Sequence, residues 1–382
     1  MSKRLSDATR RDFLKRAGQG VAFVSAAGTL IGAHGDAAAQ LRVPEPPGKK
    51  LGYAVVGLGS LAINQILPAF AKCEKSRVTA LVSGSPEKAR KLAERYGINE
   101  KSIYSYQNYD AIRDNPDVDI IYVVLPNSMH AEYTVRGSGA GKHVLCEKPM
   151  ANTPKDCEQM IEACRKANRK LMIAYRLRYE PYNMTMIKMA RAKEVGNLKI
   201  VTAEAGFSIG DPNQWRLKRE MAGGGSLMDI GVYALNAARY ITGEEPVEVN
   251  AMEYTTPGDP RFKEVEENIN FQLRFPSGVL ANCVSSYGAG INRWRATGDK
   301  GYIELDPALS YSGLKMRMRQ GNRISDVELP QVDHFAAEME HFSDCAMNNK
   351  EPTTPGEEGL KDLKVMMAIY EAAKTGKPIK LS

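Results

Sequence analysis

The stretch from Gly223 to Tyr233 places a carboxylate and a phenol where they could act on the same molecule. Three glycines precede a helical pattern for which Ser226 is the predicted N-cap. Asp229 and Tyr233 are four residues apart, so they would share one face of that helix. Together, at a glycine-lined mouth, they could hold a polyol and exchange a proton with it. Taken alone, the pattern is more typical of a capped core helix whose tyrosine faces solvent.

A glycine motif between an apolar run and a helical pattern predicts a dinucleotide site. It reads Gly57-Leu-Gly59-Ser-Leu-Ala62. Gly57 would make the tight turn, Gly59 would admit a pyrophosphate, and Ala62 would hold the helix close to the sheet. We therefore expect Gly57, Gly59, Ser60, Leu61 and Ala62 to form the cofactor loop. The alternative is an ordinary glycine-rich turn.

The end of the next predicted strand indicates which dinucleotide binds. An NAD site usually has an acid there, but this chain has Ser83, Gly84 and Ser85, followed by Lys88 and Arg90. Hydroxyls and cations suit a 2′-phosphate, which favours NADP. The alternative is that both cations are solvated helix residues.

Two later strand ends carry further polar groups. Pro126, Asn127 and His130 follow one strand, and Glu147 and Lys148 end another. Ligands bind at the carboxyl ends of such strands, so we expect all five to contact the cofactor. A cation at Lys148 could also lower the pKa of a nearby phenol. His130 has two interpretations, a loop histidine satisfied by backbone or a ligand contact.

The elements that must position these groups fall into two segments. Residues 51–175 alternate apolar strands with helices, which predicts an α/β fold with a doubly wound parallel Rossmann sheet that binds NADP. Residues 176–382 contain many strand-like runs and a few helices. They predict a largely antiparallel sheet packed on helices.

The start of the chain predicts export. Residues 1–39 resemble a twin-arginine signal peptide, with Arg10 and Arg11 before an apolar run and Ala37–Ala39 as the cleavage site. Residues 40–50 form a proline-rich arm. Of the net charge of +7, +3 lies in residues 1–39. The mild remainder argues against nucleic acid, and no later apolar run reaches the roughly 18 residues of a membrane span. The six cysteines are expected to be buried free thiols.

Beyond residue 41 the sequence resembles the glucose–fructose oxidoreductase, inositol dehydrogenase and MocA family. The resemblance rests on the glycine motif, Glu147-Lys148-Pro149, the segment ending in Trp215-Arg216 and the Asp229 helix. It implies a catalytic Lys148, with Asp229 and Tyr233 binding sugar and transferring the proton. It also implies that residues 176–382 form an α/β domain for substrate binding and oligomerisation, with a large, mostly antiparallel open sheet. The oligomer that it implies, dimer or tetramer, is built on that open sheet. Residues that it assigns to the substrate are Lys148, Arg176, Arg178, Tyr179, Trp215, Arg216, Asp229 and Tyr233. Arg176 and Arg178 have a second interpretation as interdomain ion pairs.

Tyr233 stands where many inositol-type members have histidine, which favours the aldose-oxidising branch of that family. We therefore expect a periplasmic enzyme with tightly bound NADP and no metal. It would oxidise an aldose to its aldonolactone and reduce a second sugar to an alditol. The resemblance does not separate glucose–fructose from aldose–aldose oxidoreductases. Two other functions stay open: an ordinary NADP-dependent dehydrogenase with dissociable cofactor, and a sensor without turnover.

Overall fold

A six-stranded parallel sheet carries the glycine motif in the computed structural model, which describes residues 48–381. The strand order is β3-β2-β1-β4-β5-β6, the doubly wound arrangement that the sequence predicts. All six residues of β1 are buried, because helices cover both faces of the sheet. The strands are β1 Leu51–Val56, β2 Ser76–Val82, β3 Ile103–Tyr104, β4 Ile120–Val123, β5 His143–Glu147 and β6 Leu171–Ala174.

Three helices of ten residues or more connect these strands: α1 Pro86–Tyr96, α2 His130–Gly139 and α3 Pro154–Lys166. Pro86 at the first position and Gly97 in the left-handed conformation after the last explain the bounds of α1. The predicted helix after the glycine motif is irregular. It consists of a π turn at Ala62–Ile66, a short α turn at Leu67–Ala69 and a 3₁₀ turn at Phe70–Lys72.

The second sheet has nine strands in the order β14-β13-β12-β11-β7-β10-β9-β8-β15. Its pairs are antiparallel except for β7 with β10, so the predicted mostly antiparallel open sheet is confirmed. The strands are β7 Leu198–Gly206, β8 Glu248–Tyr254, β9 Asn268–Arg274, β10 Leu280–Ser286, β11 Ile291–Gly298, β12 Gly301–Leu305, β13 Met316–Gln320, β14 Arg323–Val327 and β15 Ile379–Lys380. Its helices of ten residues or more are α4 Pro181–Arg191, α5 Val232–Thr242, α6 His334–Met347 and α7 Gly356–Thr375.

The two faces of the large sheet differ in polarity. In β9, Ile269, Phe271 and Leu273 are buried, while Gln272 between two of them is exposed. On the outer face of β8, Met252 is 75% exposed. This alternation is typical of a sheet with one face on the core.

Helix α6 belongs to the second segment of the chain but packs on the first sheet. Phe335, Met339 and Phe342 share a core cluster with the residues of β1. The Tyr53 hydroxyl donates to the Met339 carbonyl at 2.9 Å. The end of the chain thus completes the core of the dinucleotide sheet.

The helix that carries Asp229 begins differently from the prediction. Ser226 is itself helical and makes no cap, so the predicted N-cap is wrong. The buried carboxylate of Glu266 accepts hydrogen bonds from the Gly225 and Leu227 amides, at 2.8 and 2.9 Å. The Tyr370 hydroxyl of α7 donates to the same carboxylate at 2.9 Å. A π turn, Leu227–Gly231, then leads into α5.

The glycines before this helix serve packing within the protein. A Cβ on Gly224 would lie 2.0 Å from the Tyr370 hydroxyl, and one on Gly225 would lie 2.1 Å from the Glu266 carbonyl oxygen. They therefore let the Glu266 cap and α7 approach the backbone, and the predicted glycine-lined mouth is wrong.

Several predictions concern features outside the two sheets. The signal peptide and residues 40–47 of the arm lie outside the described residues. Within residues 48–381, no helix is both long enough and apolar enough to cross a bilayer. The six cysteines are buried free thiols, as predicted. Burial raises the pKa of the Cys157 and Cys164 thiols to about 12.

We expect Glu266→Ala to lower the free energy of unfolding by about 3 kcal/mol, because three buried donors lose their acceptor. Urea denaturation of the purified protein measures this loss. Glu264→Ala is the matched control, since Glu264 is two residues away but exposed, and its loss should be clearly smaller. Equal losses in the two variants would contradict the role of Glu266 as the cap.

Candidate active site

The glycine loop after β1 has the shape that a dinucleotide requires. Gly57 has φ +95°, and a Cβ there would lie 2.3 Å from the Val124 carbonyl oxygen. A Cβ on Gly59 would meet nothing within 4 Å, so the backbone is open to a ligand. Ser60 and Leu61 line the same cleft. Ala62 is buried beneath the loop, where it can hold the helix to the sheet but does not itself face the cleft.

The end of β2 supplies hydroxyls and one ammonium group. Ser83 Oγ accepts from the Ser85 amide at 3.0 Å, and Ser85 caps α1. Lys88 Nζ reaches across the cleft to the Leu58 carbonyl oxygen at 3.4 Å. Arg90 instead points to Glu100, with 3.6 Å between the charged groups. Lys88 therefore faces the cleft, whereas Arg90 faces solvent.

This end of the cleft fits an adenosine 2′-phosphate. Within residues 48–381, the carboxylates that line the cleft are Glu147 and Asp229, both at its other end. Lys88 and Ser83 would hold the phosphate. Tyr106, which the sequence analysis missed, lines the same end and lies against Gly84, 3.2 Å from where a Cβ would stand. No local motif marks it.

The loop after β4 contributes backbone atoms and one side-chain amide to the lining of the cleft. Pro126 and Asn127 line the cleft, and the Asn127 amide donates to the Ala222 carbonyl at 2.9 Å. His130 is fully buried, with its ring nitrogens 2.9 Å from the carbonyl oxygens of Leu125 and Pro149. The prediction that His130 contacts a ligand directly is therefore wrong. The histidine joins the loops that follow β4 and β5.

Lys148 and Asp229 form the centre of the site. Lys148 Nζ donates to the Asp229 carbonyl oxygen at 2.6 Å and to its Oδ1 at 3.2 Å. Asp229 Oδ2 accepts from Arg216 Nε and from the Tyr287 hydroxyl, each at 3.0 Å. Burial opposes the charge of Asp229, but Arg216 and Lys148 hold the pKa of its carboxyl well below the usual range. Burial likewise opposes the Lys148 ammonium, and Asp229 nevertheless keeps its pKa raised.

Tyr233 lies against two cations. Lys148 Nζ is 4.9 Å from its ring centroid, and Arg176 Cζ is 5.0 Å from it. Arg176 is buried and donates to the Leu309 carbonyl at 2.6 Å. In the part of the chain that the structure describes, the Tyr233 hydroxyl has no hydrogen-bond partner. A phenol that lines a cavity without a partner is available to a ligand.

Two cavities meet at Lys148. The dinucleotide cleft has a volume of about 410 Å³, and a second cavity, which contains Tyr233 and Arg176, has about 640 Å³. Tyr311 and Phe335 form an aromatic wall of the second cavity, with ring centroids 5.4 Å apart. The residues common to both are Ser60, Leu61, Glu147, Lys148, Arg216 and Asp229. A ligand in one cavity therefore meets a ligand in the other at Lys148.

Three residues assigned to the substrate lie elsewhere. Arg178 stacks on Tyr240, with Cζ 4.1 Å from the ring centroid, because successive side chains of the 3₁₀ turn Arg176–Tyr179 diverge. Tyr179 packs on His341 of α6, with ring centroids 5.1 Å apart. The predicted substrate contacts of Arg178 and Tyr179 are therefore wrong. Trp215 lines the dinucleotide cleft rather than the second cavity, and Arg216 lines both.

Tyr287 is the other residue that the sequence analysis missed at the centre. It follows β10, 58 residues after Asp229, and reaches the carboxylate only through the fold. Its neighbourhood in the sequence is an ordinary strand pattern without a motif.

Comparison with known proteins agrees with this arrangement. The model of an oxidoreductase family with an NAD-binding Rossmann fold matches residues 51–175, and a GFO/IDH/MocA C-terminal domain matches residues 184–304. The chain is 30% identical over 345 residues to D-xylose 1-dehydrogenase [NADP(+)] of Haloarcula marismortui, with 86% of this chain and 92% of that protein covered.

Among solved structures, the aldose–aldose oxidoreductase of Caulobacter crescentus, complexed with glycerol, is 56% identical. The TM-score is 0.86, with 87% of this chain and 100% of that chain covered. The 3-ketoreductase KijD10 of Actinomadura kijaniata, at 24% identity and a TM-score of 0.76 over 85% of this chain and 98% of that one, shares the fold. With both of its domains matched, this chain belongs to the GFO/IDH/MocA family of oxidoreductases and has that family's nucleotide-binding Rossmann fold.

Proposed function

We propose that this protein is a sugar oxidoreductase that uses NADP to oxidise one aldose and reduce another. The observation that carries the proposal is the meeting of the two cavities at Lys148, with Asp229 and Tyr233 beside it. One cavity has a dinucleotide loop and a 2′-phosphate end. The other has the charged and aromatic groups that suit a polyol.

Bound NADP would supply the hydride acceptor in the first half-reaction and the donor in the second. Tyr233 acts as the base: its phenolate form, beside the Lys148 ammonium, takes the proton from the anomeric hydroxyl of a pyranose aldose and becomes the neutral phenol. The product is an aldonolactone. When the carbonyl group of a second, open-chain sugar is reduced, Tyr233 returns the proton and an alditol leaves.

Lys148 and Asp229 prepare the site for this proton transfer. The Lys148 ammonium lies close enough to the Tyr233 ring to stabilise negative charge as it develops on the phenol. Asp229 keeps Lys148 charged and in place, while its own pKa, far below the usual range, makes it an acceptor for sugar hydroxyls rather than an acid. Arg176 stacks on the ring of the same phenol and lines the cavity.

The likeness to aldose–aldose oxidoreductase supports the choice of two sugars as substrates. The named relative D-xylose 1-dehydrogenase [NADP(+)] supports an aldose and NADP. The hydroxyls at the end of β2, without an acid, favour NADP over NAD. Glucose–fructose chemistry, in which the second sugar is a ketose, uses the same site and differs only in the acceptor.

The predicted twin-arginine signal supports a cofactor that stays bound. The twin-arginine pathway exports folded proteins, and free NADP is scarce outside the cytoplasm. An enzyme loaded before export needs a second sugar to restore its cofactor. We therefore propose a periplasmic enzyme with ping-pong turnover and permanently bound NADP. We further propose an oligomer that uses the outer face of the large sheet, where Met252 is exposed.

A dehydrogenase with dissociable NADP is the second candidate. It is favoured by the identity with D-xylose 1-dehydrogenase over most of both chains. Both candidates use the same groups, so the state of the cofactor distinguishes them.

Purified protein incubated with one aldose and no added cofactor should produce aldonic acid and alditol in equal amounts. Chromatography of both products measures the ratio, and denaturation of the enzyme should release about one NADP per chain. Turnover that needs added NADP and yields aldonic acid alone would replace the first candidate with the second.

Tyr233→Phe should lower turnover by about a hundredfold or more, because it removes the acid/base group and little else. Steady-state kinetics measure this, and equilibrium dialysis with a radiolabelled sugar should show nearly unchanged binding. Tyr311→Phe, which removes a phenol from the same cavity, is the matched control and should lose less than tenfold. A Tyr233→Phe enzyme with full turnover would exclude the phenol from the reaction.

Ser83→Asp should weaken NADP binding by about ten- to a hundredfold, since it removes a hydrogen bond to a charged group and adds a repelling carboxylate. Binding of NAD should change little or improve. Cofactor titration of the stripped enzyme measures both constants. An unchanged preference would place the 2′-phosphate away from Ser83.

A further inference from the structure

A buried chain of three acidic groups runs beneath the floor of the cleft. The Tyr122 hydroxyl of β4 lies 2.8 Å from Glu147 Oε1 of β5 and 3.3 Å from Glu338 Oε1 of α6. Tyr122 and Glu338 are fully buried, and Glu147 is 7% exposed, where it lines both cavities. The mechanism above uses neither Tyr122 nor Glu338.

The Tyr122 hydroxyl has a single proton, so it can donate a full hydrogen bond to only one of the two carboxylates. At 2.8 Å the Tyr122 hydroxyl donates to Glu147, which leaves Glu338 as an acceptor without a donor. The second oxygen of Glu338, Oε2, is buried and has no hydrogen-bond partner within residues 48–381. An ionised carboxylate would be left here with no donor, whereas a protonated one can donate to the Tyr122 oxygen.

The surroundings of Glu338 offset a negative charge only in part. Burial first, and then Glu147, raise the pKa of Glu338 well above its ordinary value, and the Tyr122 hydroxyl and Arg176 oppose that shift without reversing it. Burial, with Arg176 beside it, lowers the pKa of His334 on the same helix to about 3, so that ring is neutral. Arg176 forms no ion pair within 48–381, since it binds the Leu309 carbonyl and stacks on aromatic rings. Tyr179, the other titratable neighbour, is an uncharged phenol whose pKa burial raises.

We propose that Glu338 is a neutral carboxylic acid that donates to Tyr122, so that Tyr122 donates to Glu147 and holds it as a carboxylate beside Lys148. Glu338 and Tyr122 are thus positioning residues for the floor of the site. Burial raises the pKa of Glu147, and the Tyr122 hydroxyl and Lys148 oppose that shift. The effect on turnover rests on the proposed function, while the proton on Glu338 does not.

Thermal unfolding as a function of pH tests the proton. In the folded chain Glu338 keeps its proton at a pH where the unfolded chain loses it. The stability from this group is therefore complete at low pH and falls as pH rises above the unfolded pKa. Glu338→Gln removes that dependence. Its melting temperature minus that of the wild type should rise by about 2 °C per pH unit between about pH 5 and pH 8.

Glu94→Gln, an exposed carboxylate on α1, is the matched control and should give a flat difference. A flat difference for Glu338→Gln as well would overturn the proposal. Infrared spectroscopy gives a second measurement, because the carbonyl band of a protonated acid should be present in the wild type and absent from Glu338→Gln. No such band in the wild type would also overturn it. Neither measurement requires turnover.

The pH profile of kcat/KM tests the connection to the site. Tyr122→Phe should raise the midpoint of the acid limb by about one pH unit, because Glu147 loses a hydrogen bond to its ionised form. Glu338→Leu should raise it by less, and Glu338→Gln should restore the wild-type midpoint, since an amide also donates to Tyr122. An acid limb that stays in place in Tyr122→Phe would overturn the positioning role.

Discussion

The site depends on the carboxylate of Asp229, which joins four separate parts of the chain. Lys148 reaches it from the end of β5, Arg216 from the loop after β7, and Tyr287 from the end of β10, while Asp229 itself precedes α5. Two cations and one phenol hold a single buried anion. Removing any one donor would take a hydrogen bond from a buried, charged acceptor. The contacts of Asp229 therefore join the loops of the two domains.

The charges around this carboxylate are divided between two tasks. Arg216 and Lys148 neutralise Asp229, and the surplus positive charge from Lys148 and Arg176 lies against the Tyr233 ring. A phenol flanked by cations in a cavity is suited to carry a proton in both directions. Beneath the phenol lies Glu338, which we propose to be uncharged. Glu147 and Lys148 can then remain ionised, because Glu338 adds no further buried charge.

Local patterns predicted the groups whose position follows from the backbone alone. The glycine loop, Ser83, Lys88 and Lys148 all follow strands of a parallel sheet, and such strands end at one edge. Groups brought in by tertiary packing escaped the sequence analysis. Tyr287 and Glu338 lie 58 and 109 residues beyond Asp229, without a motif. Ser226 was wrongly predicted as the N-cap because the carboxylate of Glu266, 40 residues later, caps the helix instead. His130 and Arg178 were misplaced because spacing does not show which side of a turn faces the cleft.

The packing of α6 on the first sheet also determines when the nucleotide site can be completed. Phe335, Met339 and Phe342 belong to the core of β1, and Tyr370 donates to the carboxylate that caps the helix carrying Asp229. The ribosome adds these residues well after the six strands of the first sheet. The Rossmann segment therefore emerges with an unfinished core, and the cleft takes its final form only once α6 and α7 have also emerged. Loading with a dinucleotide is then a step that follows synthesis of these helices.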